Sequence, residues 1–236
     1  MPEPTIVLVH SPLVGPGTWA GVAETLRARG RDVVVPSLTG VADAPEPGWR
    51  FVVERAREAV QKAGGQTVLA GHSGAGLLLP AIADGLDLAA LLYVDASLPP
   101  WDAETVPLAP PRFAEQLGNM AKDGRLPPWW RWFPRKATKA LVPDKARREA
   151  LFAEMPSLPH AYFSGEVDVP SGWAERPSAY LRFTATYDAR AQDAAERGWP
   201  VGKLDGVEHL AMVTHPDAVA SALLDLESRV TAARPG

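Results

Sequence analysis

The chain has 236 residues, 46% of them hydrophobic and 22% charged, which suits one domain with a substantial core. Its net charge of −4 disfavours a general nucleic-acid or anionic-membrane surface as partner. With no cysteine, it can hold neither a disulfide, a thiolate metal site nor a cysteine nucleophile.

The first residues, Met1-Pro-Glu-Pro, lack the basic and apolar regions of a signal peptide, and no apolar run reaches membrane-span length. A soluble, cytoplasmic protein is expected, acting on a small molecule without nucleic-acid or membrane partners. From Thr5 to His10 a continuous apolar, β-branched run predicts a strand buried on both faces. A loop over 11–17 follows, with Thr18 as expected N-cap of a helix that places Trp19, Val22 and Leu26 on one stripe and stops near Gly30. A second strand is expected over 31–36. Beyond a Gly-, Pro- and Asp-rich loop, Val52, Val53, Ala56, Val60 and Ala63 mark a helix ended by Gly64 and Gly65. Two further apolar strands, one from Thr67 and one over 88–94, flank a helix that runs toward Gly85. Strands alternating with helices in this way predict an α/β fold with a mostly parallel sheet covered on both faces.

Between residues 99 and 177 the alternation breaks. This segment holds paired prolines and five of the eight tryptophans: Trp101, Trp129, Trp130, Trp132 and Trp173. It is too aromatic for a disordered linker. It is expected to be a cap inserted between core segments 1–98 and 178–236, with helical pieces at 111–122 and 144–154. Trp129, Trp130 and Trp132 are candidates for an apolar wall over the site, although packing inside the cap accounts for two of the three. The sheet resumes over 179–186. Asp188 has the character of an N-cap for a helix over 189–197, and 201–204 forms a last strand. Thr214-His-Pro-Asp217 has capping-box character before a C-terminal helix with Val219, Ala222, Leu223, Leu226 and Val230 on its buried side.

The densest chemical signal is Thr67-Val-Leu-Ala-Gly-His-Ser-Gly-Ala-Gly76. Ser73 sits where a buried strand turns sharply into a helix, with small residues, Gly71 and Ala75, two positions to either side. That spacing is the signature of a nucleophile elbow, because any larger side chain there collides with the crossing backbone. The helix after the serine aims N–H groups and a positive dipole end at developing negative charge.

On these residues the chain resembles the α/β-hydrolase family over nearly its whole length, near plant methylesterases and hydroxynitrile lyases. The resemblance implies a base after the last strand, where His209 stands. It also implies an acid after the strand that follows the cap, where Asp188 is nearest and Asp193 a poorer choice. Asp95 competes. It ends a fully apolar strand with no helix to cap, and certain lipases and haloalkane dehalogenases carry their acid after this strand. A carboxylate in such a place needs a partner, and an imidazole is a natural one. Asp95 is the preferred acid and Asp188 the alternative. For the oxyanion, Gly74 is expected to supply one N–H. The loop after the first strand reads His10-Ser11-Pro12-Leu13, and Pro12 has no N–H, so Leu13 N–H or the Ser11 hydroxyl is expected to serve. The Ser11 hydroxyl has a parallel in lyase relatives with a threonine there. The activity so implied needs no metal and no cofactor: hydrolysis of a carboxylic ester, thioester or lactone of a small apolar substrate through an acyl-enzyme. The alternatives are a lyase or cyclase using the same groups for proton transfer, and a non-catalytic small-molecule binder on this fold.

Overall fold

The computed structural model describes residues 3–232. β1 (Thr5–Val9) leads through a loop and a short 3-10 turn into α1 (Ala20–Ala28), and β2 (Val33–Val34) follows. α2 (Trp49–Ala63), β3 (Thr67–His72), α3 (Leu79–Ala83) and β4 (Leu88–Val94) complete the first part. The segment between β4 and the next sheet strand holds β5 (Thr105–Pro107), α4 (Pro111–Met120), α5 (Arg135–Leu141), α6 (Lys145–Glu154) and β6 (Glu166–Asp168). Then come β7 (Ser178–Arg182), α7 (Asp188–Glu196), β8 (Val201–Lys203), α8 (Ala211–Thr214) and α9 (Pro216–Ala232). Six strands form one parallel sheet in the order β2-β1-β3-β4-β7-β8.

The expected α/β architecture is present, and the apolar runs explain it. β3 and β4 are buried at every position, with alternate side chains entering opposite layers. Val7, Leu69, Leu91 and Tyr93 pack with α2 and α3, whereas Ile6, Leu8, Val68 and Leu92 pack with α1 and α9. The chain passes from β1 outward to β2, then crosses back to β3 on the other side. The direction of winding therefore reverses between β1 and β3, which opens a crevice at their carboxyl ends. The loops that follow β1 and β3 meet there.

Several local expectations are corrected. Thr18 is not an N-cap: it is fully buried inside the 3-10 turn Pro16–Trp19 and its hydroxyl donates to Gly15 O at 2.6 Å. β2 keeps two residues of the expected six. After Ser73 the chain runs as a 3-10 helix through Leu78 before it relaxes into α3. Asp188 is the first residue of α7 and makes no cap hydrogen bond; its carboxylate pairs with Arg182 Nε at 2.7 Å. Periodicity also missed α5 and the β5–β6 antiparallel pair, each too short to show a pattern.

Residues 99–177 do not build a separate core. Val106, Leu117, Leu126, Leu158, Val167 and Trp173 join the same buried cluster as Leu69 and Tyr93 of the sheet. From α6, Glu154 Oε2 accepts the Gly17 N–H at 2.7 Å and so holds the loop after β1.

Candidate active site

Ser73 follows the last residue of β3 with φ of +58°, a left-handed conformation that is unusual for a residue with a side chain and marks local strain. The space around it explains the small neighbours. A Cβ on Gly71 would come within 2.8 Å of Leu79 Cδ2. Ala75 is fully buried, so its methyl fits where the family motif usually has glycine. The tightest approach has moved one residue on, to Gly76, whose missing Cβ leaves room for Ser97 O and the Ala96 Cβ. Ser73 O accepts the Ser97 N–H at 3.1 Å. The elbow is thereby locked to the turn that carries Asp95.

That turn is itself unusual. Asp95 has φ of +41° and is fully buried. Its backbone N–H reaches Leu181 O at 2.7 Å, and the Tyr180 hydroxyl donates to Ala96 O at 2.6 Å. The carboxylate is held on both oxygens. Oδ1 accepts the backbone N–H groups of Phe183 and Thr184 at 2.8 and 3.0 Å, and Oδ2 accepts the Thr184 hydroxyl at 2.9 Å. The remaining partner on Oδ2 is His209 Nδ1, at 2.7 Å, and His209 Nε2 lies 3.0 Å from Ser73 Oγ. Because a carboxylate only accepts, Nδ1 carries the proton and Nε2 accepts from the serine hydroxyl. The three groups form one hydrogen-bonded series in which the serine faces a base with its lone pair free.

Of the residues singled out in the sequence, Ser73, His209 and Asp95 are brought together. Asp188 is not among them: it sits on the outer side of the loop, half exposed and paired with Arg182. Sequence reasoning missed Thr184 and Tyr187. Thr184 stands just past β7, where the resemblance places the acid, and instead supplies two of the four contacts to Asp95. Tyr187 stacks on the His209 ring at 5.4 Å with an interplanar angle of 10°. A threonine and a tyrosine at a strand end carry no signal that separates these roles from ordinary packing.

Two buried histidines brace the loops. His72 is oriented away from the serine, as its place at the end of β3 implies, and Nε2–H donates to the His209 carbonyl at 3.1 Å. Burial holds its pKa well below the usual imidazole value, and the neighbouring His209 adds to the effect. His10 donates from Nδ1 to Ser11 O at 2.8 Å and accepts the Leu38 N–H at Nε2, at 3.1 Å. Both ring nitrogens are satisfied only in the neutral form, and burial lowers the pKa to about 4 from 6.5. Below pH 6.5 the unfolded chain takes up protons that the native state refuses, so stability is complete above 6.5 and declines as pH falls toward 4. Each such histidine contributes a slope approaching about 1.4 kcal/mol per pH unit in that window. In urea titrations between pH 7.5 and 5.5, His10→Asn is expected to flatten the decline relative to the parent protein. An identical slope in the two would remove His10 as the cause.

Above the serine lies a cavity of about 950 Å3, near the upper end for small-molecule sites. Ser11, Leu13, Gly74 and His209 line its base. Leu13 N–H is directed at Ser11 Oγ over 3.3 Å, and that oxygen is 3.8 Å from where a Cβ on Gly74 would be. The walls come mainly from residues 99–177 and are apolar, among them Val106, Phe113, Trp129, Trp132 and Phe163. Trp129 approaches His209 with ring centroids 6.2 Å apart. Trp130 does not face the cavity; it stacks on Phe152 at 5.0 Å, nearly parallel. Two of the three tryptophans thus line the site and one packs behind it, the reverse of the expected proportion.

A parallel sheet with a strained serine after its third strand, and a histidine and a carboxylate on the loops beside it, defines an α/β protein of hydrolase architecture. The sequence profile described as the alpha/beta hydrolase family matches residues 6–222, and the chain belongs to that family. Among curated proteins none matches it by sequence. Several solved structures share its fold. One is an extracellular α/β-hydrolase from a Paenibacillus species, described as sharing structural and functional homology with tobacco salicylic acid binding protein 2. It is 20% identical, with a TM-score of 0.73 over 95% of this chain and 99% of its own. A pyrethroid hydrolase from Sphingobium faniae JZ-2 is 21% identical, with a TM-score of 0.67 over 95% and 97%. Tomato methylketone synthase I, in complex with 2-tridecanone, is 16% identical, with a TM-score of 0.70 over 98% and 100%. At these identities the likeness concerns the fold.

Proposed function

We propose that the protein is a serine hydrolase acting on carboxylic esters, thioesters or lactones with bulky or extended apolar groups. The observation that carries this reading is the hydrogen-bonded series from Asp95 through His209 to Ser73. With Nδ1–H committed to Asp95, Nε2 stands 3.0 Å from Ser73 Oγ as a ready base. Ser73 Oγ attacks the acyl carbon while its proton passes to Nε2. Collapse of the tetrahedral intermediate breaks the acyl C–O or C–S bond, and the leaving group takes the proton from His209. A water activated by His209 then hydrolyses the acyl-enzyme and restores the serine.

Gly74 N–H and the Ser11 hydroxyl or Leu13 N–H are the proposed oxyanion donors. Pro12 removes one backbone donor from this loop and thereby shifts the task to Ser11 or Leu13. Residues 99–177 serve as the cap. They exclude water and offer an apolar surface to the acyl or alcohol group.

A second reading is favoured by that same Pro12. A hole weakened by the loss of one N–H is better suited to a lyase or cyclase that uses Ser73 and His209 only to move protons. The test that separates the two uses nitrophenyl esters of increasing chain length. For the hydrolase, kcat/KM is expected to rise from acetate through medium chains, with a burst of nitrophenol equal to the enzyme present. A preference for anionic over neutral acyl groups, or no burst and no turnover with any ester, would overturn the reading.

A further inference from the structure

The charge of −4 is spread very unevenly. Residues 111–148 carry ten Lys and Arg against three Asp and Glu, a net of +7, which leaves −11 for the remainder. This positive stretch forms the lip of the cavity: Phe113 of α4, Trp129 and Trp132 of the following 3-10 turn, Phe133, and Ala137 of α5 all line it. Phe113 and Phe133, 38% and 39% exposed, are the large hydrophobic side chains open to solvent among the described residues. Around them the basic groups lack counter-charges. The ion pairs of the stretch are Arg125–Asp43 and Lys145–Glu149. Arg112, Arg131, Arg135, Lys136 and Lys139 are exposed and have no carboxylate partner among the described residues. Three of these cations fall within the seven residues of α5, at spacings of three and four. Like charges so placed repel one another on a helix.

We propose that this lip docks on an anionic lipid surface. Exposed phenylalanines beside unpaired Lys and Arg match an interface that is negative outside and apolar beneath. The remaining −11 lies outside this stretch, so an anionic surface attracts the stretch and repels the rest of the chain on balance. A folded protein partner is a poorer fit, since it requires a continuous contact of roughly 800 Å2, and here the phenylalanines flank an open mouth. Docking sets the apolar cavity against the bilayer, so that an apolar molecule dissolved in lipid can enter without crossing water.

The measurement is sedimentation with vesicles of phosphatidylcholine alone or mixed with phosphatidylglycerol, at low and high salt. The protein is expected to pellet with the mixed vesicles at low salt and to be released by high salt. The triple variant Arg135→Gln, Lys136→Gln, Lys139→Gln is expected to bind about a hundredfold more weakly. None of these three residues lines the cavity, and hydrolysis of a soluble short-chain ester is expected to be unchanged, which shows that the variant is folded. Phe133→Ser separately tests insertion and should weaken vesicle binding several-fold. Failure of the parent protein to pellet with mixed vesicles would overturn the proposal. So would undiminished binding by the triple variant, or equally tight binding to a DNA oligonucleotide with no effect of Phe133→Ser, which would mark simple attraction to polyanions. Sedimentation needs no turnover, so its failure leaves the proposed hydrolysis standing, and an inactive enzyme that still pellets leaves the docking standing.

Discussion

Asp95→Asn is expected to lower kcat by three to four orders of magnitude while leaving the fold and substrate binding intact. The hydrogen bonds state the reason. An asparagine oxygen in place of Oδ1 still accepts the Phe183 and Thr184 N–H groups, which fixes the side-chain orientation. The amide nitrogen then falls where Oδ2 accepted from His209, and the Thr184 hydroxyl can rotate to accept from it. An NH2 group facing Nδ1 obliges that nitrogen to present its lone pair. The ring proton moves to Nε2, which can no longer take the proton of Ser73. The same substitution in the serine-protease case costs about ten-thousand-fold through the wrong tautomer. Asp188→Asn makes the opposite demand. It removes one exposed partner of Arg182, which keeps Asp205 at 2.8 Å. The expected stability loss is below about 1 kcal/mol, with kcat unchanged. Steady-state kinetics on the two variants decide the matter, and collapse in Asp188→Asn alone would reverse the assignment of the acid.

Ser73→Ala is expected to remove turnover of a nitrophenyl ester to roughly a millionth, and to abolish labelling by a fluorophosphonate. In a comparable serine enzyme the loss of the nucleophile costs about that much, and the oxyanion donors and binding contacts supply what remains. Alanine keeps a Cβ at the left-handed position that Ser73 already occupies, so the strain at φ of +58° is unchanged and the circular dichroism should be too. Mapping the labelled peptide of the parent protein should place the adduct on Ser73 within the 67–76 stretch. His209→Ala is expected to lose activity to a similar degree, because the serine then has no base. Wild-type turnover in either variant would remove the acyl-enzyme mechanism. An unlabelled Ser73 in the folded parent protein would favour the binding alternative.

The elbow was legible because its constraint is local. Small residues two positions either side of a serine, a strand before and a helical turn after, are all features of ten consecutive residues. The order of strands and helices was legible for a similar reason, since burial on both faces imprints continuous apolar runs on the sequence. His209 could be singled out by its place after the last strand.

The identity of the carboxylate partner was a different kind of problem. Asp95 and Asp188 both follow apolar strands, and local pattern offered only a narrow preference between them. What separates them is the distance between chain segments far apart in sequence. Phe183 and Thr184 bring two N–H groups and a hydroxyl to Asp95 across the β4–β7 pairing, while Arg182 draws Asp188 outward. The tryptophans divide in the same way: Trp129 and Trp132 line the cavity, and Trp130 stacks on Phe152 of α6. By itself, then, the sequence determined the class of fold and the serine at the elbow, because local sterics and burial set those, and the family resemblance singled out His209. Only the tertiary structure decided which carboxylate holds the histidine, which aromatic residues line the cavity, and that part of a basic stretch borders it, because each depends on contacts between segments that composition and spacing do not encode.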